Sequence, residues 1–146
     1  MEEHSKARKG GRHPRAKASF WIGGFPGGYE RFELRGRILR HGHQLDPEMA
    51  DKLVRRTLSA IKVEKLWRTI EISGCWRWSE PSADGPPIVD GVQWKLRLRH
   101  GARQLDLYGS NAFPPGSTTK ISPEFSRLVG AFRAAARLRA SPWERW

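Results

Sequence analysis

The sequence predicts an α+β domain: a mostly antiparallel sheet of about five strands with two helices packed on one face, in the order β-β-α-β-β-β-α. Apolar and polar residues alternate with period two from Tyr29 to Arg40 and again from Val92 to Tyr108, the mark of half-buried strands. Helical spacing follows a capping residue and a proline twice, at Asp46-Pro47 and at Ser122-Pro123. Few strand–helix–strand alternations occur, which favours antiparallel layering over a doubly wound parallel sheet. At 146 residues, 38% of them hydrophobic, the chain has the size of one domain around one core.

Residues 1–17 are rich in Lys, Arg, Gly and His without hydrophobic periodicity, and they are expected to form a disordered basic arm, because they bury too little to offset the entropy of ordering. A single domain is expected over 18–140 and a short tail over 141–146. Ser19-Phe20-Trp21-Ile22 reads as a strand ending in the glycine-rich loop Gly23-Gly24-Phe25-Pro26-Gly27-Gly28. From Tyr29 to Arg40, Phe32, Leu34, Gly36 and Ile38 alternate with Glu33, Arg35, Arg37 and Leu39, predicting one strand with an apolar and a basic face. His41-Gly42-His43-Gln44 breaks it. Met49, Ala50, Leu53, Thr57 and Ile61 then share one stripe of an amphipathic helix opened by Asp46-Pro47. The β-branched and aromatic residues between Leu66 and Ile72 predict a strand that Trp76 and Trp78 extend. After the proline-rich loop 80–87 comes a hairpin, Val92, Trp94, Leu96 and Leu98 on one face and Lys95, Arg97 and Arg99 on the other, turning at His100-Gly101 and returning through Arg103, Leu105 and Leu107. A second helix starts at Ser122-Pro123-Glu124 with Phe125, Leu128, Val129, Phe132 and Ala136 on its inner face.

Charge is the strongest functional signal. Lys and Arg number 27 against 15 Asp and Glu, a net charge of +12, enough to attract anionic polymers. The arm holds six basic and two acidic side chains, so +4 belongs to it and +8 to the rest. Arg35 and Arg37 on one strand and Lys95, Arg97 and Arg99 on another occupy polar alternate positions, and strands sharing a sheet would join them into a cationic surface. Lys6, Arg8, Lys9, Arg12, Arg15 and Lys17 of the arm would add phosphate contacts. The expected partner is DNA or RNA, with an acidic protein as the alternative. The plainer reading of the same residues is a solvated sheet face, and of the seven tryptophans, core and edge packing.

Enzymatic chemistry is not indicated, although it stays open as a third class. The chain lacks a G-x-x-x-x-G-K-[ST] phosphate loop, an H-E-x-x-H metal helix and a G-x-S-x-G nucleophile elbow, and no cofactor is expected. Glu71, Asp84, Asp90 and His100 are the acid–base candidates, and their spacing does not bring them together. His41 and His43, with Asp46, have a metal-like spacing, but histidines beside glycine in a basic chain read more simply as turn residues, and no metal site is expected. Cys75 is the only cysteine, so the chain cannot close an internal disulfide, and it reads as a small apolar residue. No run nears the roughly 20 apolar residues of a bilayer span, and the charged N-terminus lacks a following apolar stretch. A cytoplasmic protein without membrane contact is expected.

The segment Asp90-Gly91-Val92-Gln93-Trp94-Lys95-Leu96 followed by Tyr108-Gly109-Ser110-Asn111-Ala112-Phe113-Pro114 resembles a group of small uncharacterised bacterial proteins with a DG-x-Q-W-x-L strand, a G-S-N-A-[YF]-P segment and a C-terminal helix. The likeness covers about residues 66–138 and implies a bacterial α+β domain, with no chemistry attached. Physically, Trp94 is expected to anchor the core, Gly109 to relieve unusual backbone, and Asn111 to bond neighbouring backbone rather than a ligand.

Overall fold

A computed structural model describes residues 16–24, 27–44, 53–81, 91–116 and 119–138. Six strands form one antiparallel sheet: β1 (Lys17–Gly24), β2 (Gly28–Arg35), β3 (Ile38–Gln44), β4 (Val54–Thr57), β5 (Gln93–His100) and β6 (Arg103–Ser110). Their spatial order is β4-β3-β2-β1-β5-β6. Helices α1 (Ala60–Ile72) and α2 (Pro123–Ala135) lie on one face, and a 3₁₀ turn, Cys75–Arg77, follows α1. The α+β class and the layering expected from sequence hold, with the order β-β-β-β-α-β-β-α among the described elements.

The core forms where alternate strand residues meet the apolar stripes of the helices. Ala18, Phe20 and Ile22 of β1 lie between Phe32 and Leu34 of β2 and Trp94, Leu96 and Leu98 of β5. Phe125, Leu128, Val129 and Phe132 of α2 close over them, with Phe132 stacked 5.3 Å from Phe20. Ser122 caps α2 as expected, accepting from the Phe125 amide at 3.0 Å. Cys75 is wholly buried, and burial pushes its thiol upward in pKa.

Four expectations change. The strand from 29 to 40 is a hairpin: Gly36, at φ +61°, takes the first place of a two-residue turn between the paired residues Arg35 and Ile38. Inserting that turn reverses the alternation, so Leu39 is fully buried and Ile38 is not. The segment expected as a strand from Leu66 to Ile72 is the body of α1. Ser59 caps it through the Lys62 amide, and Leu66 and Ile70, four residues apart, enter the core. The β-branched side chains favoured a strand only locally, and the helical period that buries Leu66 and Ile70 prevailed. Residues 54–57 of the first expected helix are strand β4, a short edge paired to β3, and Ile61 of its stripe falls in the first turn of α1. The start of that expected helix at Asp46-Pro47 lies outside the described residues, as do residues 1–15 of the arm, residues 139 and 140, and the tail over 141–146. The arm's expected end at 17 moves back, since Ala16 is buried and Lys17 begins the central strand β1.

The two segments that carry the resemblance meet at the far end of the β5–β6 hairpin. The Asn111 side-chain oxygen accepts from the Val92 amide at 3.0 Å and the Asn111 backbone N–H donates to the Val92 carbonyl at 2.8 Å, and the Trp94 indole donates to the Ala112 carbonyl at 2.9 Å. A Cβ on Gly109 would lie 2.3 Å from the Trp94 ring nitrogen, so glycine is required there by close approach. Asn111 and Trp94 thus play the structural parts expected of them.

Candidate nucleic-acid interface

The face of the sheet turned away from α1 and α2 carries the charge. Residues paired across antiparallel strands point to the same side, so the register defines rows running across the strands. One row reads Thr57, Ile38, Arg35, Lys17, Arg99, Gln104 from β4 to β6. The next reads Arg55, Arg40, Glu33, Ser19, Arg97, Asp106, and the third, from β3, Gly42, Arg31, Trp21, Lys95, Tyr108. These rows bring together eight basic side chains, Arg55, Arg40, Arg31, Arg35, Lys17, Lys95, Arg97 and Arg99, against two acidic ones, Glu33 and Asp106.

Both acids are engaged from within the face. Arg31 donates to Glu33 at 2.8 Å, and Arg97 lies 3.4 Å from Asp106. The exposed Arg35, Lys17 and Arg99 are direct cross-strand neighbours on three adjacent strands, and Arg40 opposes Arg55 in the same way. Like charges directly opposite one another destabilise a sheet by a few tenths to about 1 kcal/mol per pair. Between the two charged rows runs a trough of about 570 Å³, reaching from Ile38 and Arg40 on β3 to Gln104 and Asp106 on β6. Small Ser19, at the middle of β1, lines it at its centre.

The third row holds an aromatic group apart from the main core. Trp21 is only 6% exposed although it sits on the open face. It meets Tyr29 edge-on at 5.2 Å and Tyr108 at 6.4 Å, with Arg31 and Lys95 as its strand neighbours. Tyr108 is 41% exposed, and its amide donates to Glu80 at 2.8 Å.

Of the residues singled out from sequence, Arg35, Lys95, Arg97, Arg99 and Lys17 share this face. Arg37 does not: it stands in the β2–β3 turn, where its Nε donates to the Leu58 carbonyl at 2.8 Å and its own carbonyl accepts from the Leu58 amide. The turn removed it from the strand alternation on which its assignment rested. Lys6, Arg8, Lys9, Arg12 and Arg15 lie outside the described residues. Arg31, Arg40 and Arg55 were missed. Arg31 was legible as the residue two before Glu33 and four before Arg35, whereas the parity of Arg40 was hidden by the turn and Arg55 by the helical reading of its segment.

Of the other candidates, Glu71 and His100 come close at the turn end of the β5–β6 hairpin, and the remaining described ones lie apart from them. Glu71 is held by Arg103 through two bonds of 3.0 and 3.1 Å, which keeps its carboxyl below the usual range, and Arg103 lies 4.2 Å over Trp76. His100 rests 4.6 Å from Trp67 at that same end of the β5–β6 hairpin, while Asn111 stands at the opposite end. His41 and His43 both point to the helix side of β3; burial, and then the charge of Arg56, push the His41 pKa below its ordinary value. Asp46, Asp84 and Asp90 lie outside the described residues, and among the described residues no three His, Cys, Asp or Glu gather as a metal site. No helix among them is long and apolar enough to cross a membrane. Compared with models of known protein families and with curated proteins, the chain finds no match in either.

Proposed function

We propose that the protein binds nucleic acid through the open, cationic face of its sheet, in the cytoplasm. The observation that carries this reading is the row Arg35, Lys17, Arg99. Three cations side by side on adjacent strands work against the sheet that bears them, and a phosphate backbone laid along the row turns that repulsion into binding energy. The face has both of its acids engaged by its own arginines, which leaves Arg35, Lys17, Arg99, Arg40, Arg55 and Lys95 to meet an anion. The enrichment in arginine suits bidentate phosphate contacts.

The test is fluorescence-anisotropy titration of the full chain with labelled oligonucleotides over a range of salt. Affinity falls steeply with salt, with a log–log slope of about −3 to −5 if some four to six phosphates are neutralised. Lys17→Glu weakens binding of every sequence and lowers that slope by about one. Deleting residues 1–15 measures the share of the N-terminal arm. An acidic protein partner is the competing reading; it predicts that poly-glutamate competes as well as nucleic acid at equal charge. Absence of salt-sensitive oligonucleotide binding by the full chain at low salt would rule the proposal out.

A further inference from the structure

We infer that the nucleic acid on this face is single-stranded, its backbone crossing the strands along the trough and one of its bases stacking on Tyr108. The inference rests on the nucleic-acid reading above and specifies its ligand. Three features of the face lead to it.

The first is the shape of the charged area. The rows of Arg35, Lys17 and Arg99 and of Arg55, Arg40 and Arg97 are separated by one pleat repeat, about 7 Å, while six strands at about 4.8 Å spacing extend the band to about 24 Å. Arg31 and Lys95 lie one repeat further out, beside Trp21, and the two charged rows that flank the trough form a strip one backbone wide. A duplex presents two backbones across grooves of about 6 and 12 Å, and this strip would engage only one of them. The second is the trough. At about 570 Å³ it has the size of a small-ligand cleft, with room for a single backbone passing over Ser19.

The third is the aromatic group on one side of the strip. Tyr108 follows Asp106 by one step along the open face of β6, is 41% exposed, and is backed by Trp21. Its strand is fixed there by the bond from its amide to Glu80. A rigid, half-exposed ring beside a phosphate track is a stacking platform, and only unpaired bases are free to reach it. Trp21, nearly buried, supports the platform rather than serving as one.

The experiment compares three probes at one salt concentration with the full chain: a single strand of about 12 nucleotides, a duplex of the same sequence, and an abasic strand of equal length and charge. The single strand is expected to bind most tightly. Tyr108→Ala is expected to weaken it by about 5- to 150-fold, the range for loss of one stacked base, with little change for the abasic strand, and Tyr108→Phe to retain it. Equal affinity for duplex and single strand, or a folded Tyr108→Ala chain with unchanged single-strand affinity, overturns the inference and leaves the broader nucleic-acid reading in place. No binding of any probe removes both. Should Tyr108→Ala fail to fold, ultraviolet crosslinking of the unaltered chain to a 5-iodouracil strand decides: a crosslink in the peptide containing Tyr108 supports the inference, and crosslinks confined to other peptides overturn it.

Discussion

The two faces of this sheet are built from the same strands and obey opposite rules. In β1, Ala18, Phe20 and Ile22 point into the core, while Lys17, Ser19 and Trp21 point the other way. The first set meets Phe32, Leu96 and Phe132 in contacts that stabilise the fold. The second set meets Arg35, Arg99, Arg31 and Lys95, neighbours that repel Lys17 or press against Trp21. Alternation along an extended chain lets one strand hold both, because each side chain sees only its own face. The difference separates stability from recognition: the helix-covered face holds the domain together, and the open face carries charges that the fold alone does not call for.

Substitutions on the two faces should therefore differ in sign as well as in size. The largest effect is expected from Phe132→Ala, which removes a ring stacked on Phe20 and tilted 5.7 Å from Phe32. A loss of about 3–5 kcal/mol should appear in urea unfolding, and a loss below 1 kcal/mol would mean that the helix-covered face is not the seat of stability. Gly109→Ala, which drives a methyl into the Trp94 indole, is expected to cost about 1–3 kcal/mol by the same measurement.

On the open face the direction reverses. Lys17→Glu replaces two repulsive cross-strand pairs, with Arg35 and Arg99, by two attractive ones, and should raise stability by a few tenths to about 1 kcal/mol while weakening oligonucleotide binding. Tighter folding with weaker binding is the signature of a face kept for a ligand. A Lys17→Glu chain that is less stable than the unaltered one would erase the contrast between the faces.

The smallest effect concerns pH. The folded-state pKa of His41 lies below its ordinary value of 6.5, through burial first and the charge of Arg56 second. Between the two values the unfolded chain binds the proton that the folded chain refuses. Stability from this group is therefore complete above pH 6.5 and declines as pH falls from there toward the folded value. Thermal melts of the unaltered chain and of His41→Gln from pH 8 to pH 5 should show the decline only where the histidine is present.

Much of the architecture could be read from the residue pattern alone. The β5–β6 hairpin follows from unbroken period-two alternation, and α2 from Ser122-Pro123 and the spacing of Phe125, Leu128, Val129 and Phe132, because those signals are local and agree with one another. Lys95, Arg97 and Arg99 were visible as a basic stripe for the same reason. Where local signals conflicted, the residues beyond the segment prevailed. Leu66 to Ile72 carried a strand's composition and a helix's spacing, and burial of Leu66 and Ile70 in the shared core selected the helix. Gly36 looked like one step in a strand, and its left-handed turn moved Arg37 off the face and brought Arg40 onto it.

The cationic surface itself depends on strand order. Lys17, remote in sequence from both Arg35 and Arg99, lies between them only because β1 inserts between β2 and β5. Period and capping are written over a few consecutive residues, so composition and spacing suffice to read them. Which strands become neighbours depends on how all the apolar faces are buried at once, a property of the whole chain, and it is that arrangement which turns scattered basic residues into one row.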